Sequence, residues 1–69
     1  MRELYDELIS QKEVVQVILM NGFQMRNVII LWESKDTICV TSMNSMEDEC
    51  RAESIVFKHA ISTIVRYRR

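Results

Sequence analysis

The sequence predicts a short N-terminal α-helix followed by a strongly bent five-stranded antiparallel β-sheet, in effect a small open β-barrel. Apolar residues at helical spacing open the chain. An Asn21-Gly22 pair separates two long β-branched runs, and three shorter apolar runs follow without a single proline.

The helix spans Arg2 to about Gln11, where Leu4, Tyr5, Leu8 and Ile9 share one side. Glu3, Asp6 and Glu7 stand early and Lys12 late, as the helix dipole favours. Val14, Val15, Val17, Ile18, Leu19 and Met20 form a strand interrupted only by Gln16. Asn21-Gly22 is expected to make a two-residue hairpin turn, with a second strand resuming at Phe23 and running to Leu31. Trp32 to Asp36 is polar enough for a turn, and Thr37-Ile38-Cys39-Val40-Thr41 alternates as a third strand. Residues 42–54 are polar and acidic without periodicity, and are expected to form an extended exposed loop. Ile55 to Lys58 gives a fourth strand and Ala60 to Val65 a fifth, ahead of a basic tail at 66–69. The whole reads as one domain over 1–69, with its sheet between 14 and 65.

A lone core of 69 residues is marginal, since a chain this short buries only about 60% of its unfolded surface. Disulfides, a metal or self-association would supply the remainder. Cys39 and Cys50 form no CxxC pair, and His59 is the only histidine, which leaves one chain short of a closed zinc site. No metal or other cofactor is expected. Acidic residues occupy the region where a signal peptide would be basic and then apolar, and no run is long enough to span a membrane. Free thiols in a reducing cytoplasm are the expectation. Self-association remains, and the fourth and fifth strands carry little that would block edge pairing.

The net charge of −1 does not announce a nucleic-acid binder. Its distribution says more: Glu47, Asp48, Glu49 and Glu53 crowd one segment, whereas Arg66, Arg68 and Arg69 surround Tyr67.

Phe57-Lys58-His59-Ala60-Ile61-Ser62-Thr63 resembles the signature of Hfq, the bacterial Sm-like RNA chaperone family, in which an aromatic, lysine, histidine and alanine join the last two strands. Asn21-Gly22-Phe23-Gln24-Met25-Arg26 is similar to that family's first hairpin. The resemblance covers roughly Leu4 to Val65 and implies the Sm-like fold, assembled as a hexameric ring in which the fourth strand of one subunit pairs with the fifth of the next. It also implies binding of single-stranded RNA, both small regulatory RNA and messenger RNA, in post-transcriptional regulation, with no membrane involved.

By that resemblance Phe57, Lys58, His59 and Glu33 line the proximal pore, where the family takes uridine-rich RNA. An ammonium neutralises phosphate, and a ring stacks on or hydrogen-bonds an unpaired base. Taken as residues alone, Lys58 is more simply a solvated strand-end charge and His59 a turn residue. Gly22, Gln24, Arg26 and Thr63 match positions on the opposite, distal face, where adenine-rich RNA binds in the family. A plain polar strand face accounts for them equally well. Lys12, Arg66, Arg68 and Arg69 are auxiliary basic candidates.

The chain departs from the family pattern at several places. No aromatic follows Glu33, Ile18 stands where a distal stacking aromatic is usual, and Ile9, Ser10 and Lys12 replace the arginines of the rim. No nucleophile, acid and base constellation supports an enzyme. The alternative to an RNA chaperone is a diverged Sm-like scaffold that binds RNA weakly and acts mainly through protein contacts.

Overall fold

The computed structural model describes residues 2–43 and 52–67. Helix α1 (Arg2–Gln11) has the bounds its apolar stripe predicts. It carries no basic residue in its last turn, because Lys12 lies just beyond it in the left-handed region at φ 51°. There Lys12 N–H donates to Ile9 O and Glu13 N–H to Leu8 O, at 3.2 and 3.1 Å, the paired bonds that close a helix end. Glycine usually takes that position. A lysine here stores a local backbone cost of about 1 kcal/mol.

Five strands follow: β1 (Val14–Leu19), β2 (Gln24–Glu33), β3 (Thr37–Ser42), β4 (Glu53–Phe57) and β5 (Ile61–Arg66), with a 3₁₀ turn over Lys58–Ala60 between the last two. They form one antiparallel sheet in the order β4-β3-β2-β1-β5. β4 and β5 are its edges, so the sheet is bent but not closed on itself.

Alternation sets the core. Val15 and Val17 are fully buried while Gln16 and Ile18 face away, and Val28, Ile30, Ile38, Val40 and Val56 complete the inner side against Tyr5 and Leu8 of α1. Irregularities of register bend the sheet. Gln16 lies opposite the Arg26-Asn27 pair, where Asn27 adopts φ 54°, and further breaks fall at Leu31 in β2 and Ser62 in β5.

Several boundaries differ from expectation. The first hairpin turn is wider than the predicted two-residue form, because such a turn needs positive φ at both positions and only Gly22, at 89°, supplies it. Gly22 N–H donates to Leu19 O and Leu19 N–H to Phe23 O, while Asn21 Oδ1 caps the amide of Phe23 at 2.9 Å. β2 continues through the segment expected to turn, because Trp32 and Glu33 find partners in Cys39 and Ile38. The expected loop at 42–54 is shorter at both ends, with Ser42 in β3 and Glu53-Ser54 in β4; its acidic centre, 44–51, lies outside the described residues. Lys58 belongs to the 3₁₀ turn and not to β4, and Arg66 ends β5 instead of opening a tail. Cys39 is buried, as a small core residue should be, and Cys50 lies outside the described residues.

Candidate nucleic-acid interface

The turn Lys58–Ala60 carries the chain from one sheet edge to the other, and two backbone bonds pin it. Lys58 N–H donates to Asp36 O at 2.8 Å, and Met20 N–H donates to Ala60 O at 2.7 Å. The first bond draws the turn against the β2-β3 connection and so beside the end of β2, where Glu33 stands. Lys58 Nζ meets Glu33 Oε2 at 2.6 Å, with the two side chains 25% and 13% exposed. The ammonium also lies 4.9 Å above the centre of the Tyr5 ring. Burial raises the Tyr5 phenol above its ordinary pKa; nearby Lys58 lowers it in part and Glu33 adds a smaller upward push.

Phe57 and His59 flank this lysine on the outside. Their ring centroids are 5.7 Å apart and tilted by 36°, and both residues are exposed. The structure thus brings together all four residues predicted for the pore. It adds Tyr5, which the sequence assigns to helix packing and which serves as the floor beneath the ion pair.

The opposite sheet face collects the second predicted set. In the ladders Ile18 opposes Gln24 on β2 and Thr63 on β5, so these three residues lie side by side. Gly22 is the left-handed residue of the adjoining turn. Arg26 Nη2 donates to Gln24 Oε1 at 3.2 Å, and Gln16 Nε2 donates to the same oxygen at 2.9 Å. Tyr67 hydroxyl in turn donates to Gln16 Oε1 at 2.9 Å. The sequence motifs do not single out Gln16 or Tyr67 for this face. Strand alternation could have found Gln16, whereas Tyr67 arrives from the far end of the chain.

The auxiliary cations separate into different situations. Lys12 is exposed beside the helix end. Arg66 is held by Glu13 through bonds of 2.6 and 3.2 Å and by Glu7 at 3.3 Å. The hydrogen bond to Glu13, ahead of that to Glu7, raises its pKa further. Arg68 and Arg69 lie outside the described residues. Among the described residues no cluster of metal-ligating side chains occurs, and no helix is long and apolar enough to cross a membrane.

The Hfq family model matches residues 4–69, nearly the whole chain. The chain belongs to the Hfq family. A crystal structure of the pleiotropic translational regulator Hfq has the same fold, with a TM-score of 0.77 at 24% identity over 96% of this chain and 88% of that one. No curated protein matches the chain. Hfq proteins are Sm-like RNA-binding chaperones, and in general terms this chain is one of them.

Proposed function

We propose that the chain assembles as a cytoplasmic hexameric ring that binds single-stranded RNA on two faces and modulates RNA pairing in post-transcriptional regulation. The observation that carries this reading is the Phe57-Lys58-His59 segment, which presents two rings 5.7 Å apart beside the Lys58-Glu33 pair, where the chain passes from one free sheet edge to the other. Pairing β4 of one subunit with β5 of the next would satisfy both edges and gather these turns around a common axis. On that axis Phe57, Lys58 and His59, with Glu33 orienting Lys58, would take U-rich RNA. Gly22, Gln24, Arg26 and Thr63 would take A-rich RNA on the other face. Lys12, Arg66, Arg68 and Arg69 would add non-specific phosphate attraction, with Arg66 weakest because two carboxylates already engage it.

One observation favours the alternative of a scaffold with weak RNA binding: Lys58 already has Glu33 as its counter-ion. Filter-binding titrations with short U-rich and A-rich RNAs at physiological salt test the choice. Binding of either RNA supports the chaperone, and failure of both leaves the scaffold. Sedimentation tests assembly, with a ring expected and an 8.2 kDa monomer at micromolar concentration overturning it. Ile64 faces the core opposite Val17 and is unsuited to probing the edge, whereas Ile55 on β4 is 61% exposed. Ile55→Asp is therefore the substitution expected to open the ring.

A further inference from the structure

Arg26, Gln24, Gln16 and Tyr67 form a continuous hydrogen-bonded line across β2, β1 and the end of β5. Its polarity is dictated by one end. A guanidinium has donors only, so the Gln24 atom 3.2 Å from Arg26 Nη2 must be oxygen. That oxygen also accepts from Gln16, which turns the Gln16 amide so that its own oxygen points to Tyr67, and the tyrosine hydroxyl must then donate. Exposed hydrogen bonds of this kind contribute little to folding. Their effect here is positional: they hold the Tyr67 ring in one place although 55% of the residue is exposed.

The middle of this face lacks an aromatic, since Ile18 stands between Gln24 and Thr63. Tyr67 restores a flat surface at its margin. Two inter-strand spacings, about 10 Å, separate β5 from β2, so an unpaired base on Tyr67 would leave the neighbouring backbone within reach of Arg26.

We propose that Tyr67, positioned by Gln16, is a base-stacking residue of the A-rich RNA surface, a role that neither the family signature nor the first hairpin assigns to it. The proposal rests on the reading that the Gln24 and Arg26 face binds such RNA. Stacking on a tyrosine held in advance costs less ordering than stacking on a free side chain, and it is tolerant of base identity. Gln24 and Arg26 therefore supply polar discrimination, and Tyr67 supplies affinity.

The test uses the assembled full chain, its state checked by sedimentation, and an A-rich RNA containing one 2-aminopurine. Binding to the unaltered protein should quench the probe. Tyr67→Leu should lower affinity about tenfold and abolish most of the quenching. Tyr67→Phe and Gln16→Ala should each retain quenching and lose about threefold in affinity, because the ring remains but its tether is gone. Unchanged affinity and quenching in Tyr67→Leu, with Arg26→Ala still weakening the complex, would overturn the role of Tyr67 and leave the face intact. If the unaltered protein does not bind the A-rich RNA, both the face and the role of Tyr67 fall together.

Discussion

Lys58 and Arg26 are the cations that the resemblance sets one on each of the two RNA faces, and the fold treats them differently. Lys58 lies against a carboxylate at 2.6 Å and above a buried ring, with only 25% of its side chain exposed. Arg26 is exposed and leans on a neutral amide. A cation already neutralised has less to gain from a phosphate, because it must give up one charge partner to meet another. One that rests on an amide keeps its full attraction. A retained motif and a retained charge are thus separate properties, and under the proposed function the stronger pull on phosphate comes from the Gln24 and Arg26 face.

The largest expected effect breaks the contrast at the ion pair. Lys58→Ala leaves Glu33 partly buried beside Tyr5 without its counter-ion, and should lower the melting temperature by on the order of 10 °C. Combining Lys58→Met with Glu33→Gln should recover most of that loss in a calorimetric scan; if it does not, the pair is not the source of the cost.

Next in size is Arg26→Ala, expected to weaken A-rich RNA about tenfold with little change in U-rich binding or in melting temperature. Equal losses for both RNAs would mean that the two faces are not distinct. A smaller effect sharpens the contrast from the other side. Glu33→Gln removes the neutralising charge, so U-rich affinity should rise severalfold and the salt slope should steepen by about 0.7 for each additional phosphate neutralised. A flat response would show that Lys58 never meets phosphate.

The smallest effect concerns Tyr5, beneath the Lys58-Glu33 pair. The Tyr5 phenol is raised, so the folded state favours its neutral form. Its contribution is complete below the unfolded value near 10 and is lost as pH climbs through the folded one. Denaturant midpoints should therefore fall as the pH rises above about 10, and Tyr5→Phe should reduce that fall. An identical alkaline profile in the variant would remove Tyr5 as its origin.

The helix and the order of strands were legible because their signals are local. The stripe of Leu4, Tyr5, Leu8 and Ile9 and the alternation around Val15 and Val17 each declare a buried side within a few residues. Boundaries were less legible where pairing overrides composition. Trp32-Glu33 looks like turn sequence, yet Cys39 and Ile38 across the ladder keep it in β2. The resemblance named Glu33, Lys58, Gln24 and Arg26, but their state could not be read. Lys58 finds Glu33 25 residues away, and Tyr67 reaches Gln16 over 51. No pattern within a window of sequence encodes contacts at such separations.

The sheet order places β1 between β2 and β5, although β5 stands fifth of the five described strands in chain order. During synthesis the first hairpin can form early, but one side of β1 remains without its ladder until Ile61–Arg66 has emerged. Arg66 then ties that strand to Glu13, 53 residues back, at the joint between helix and sheet. A nascent chain therefore carries an open, apolar edge of Val14, Val15, Val17, Ile18 and Leu19 until β5 has been made. Completion of the sheet consequently waits for β5 and is not set by the speed of the first hairpin alone.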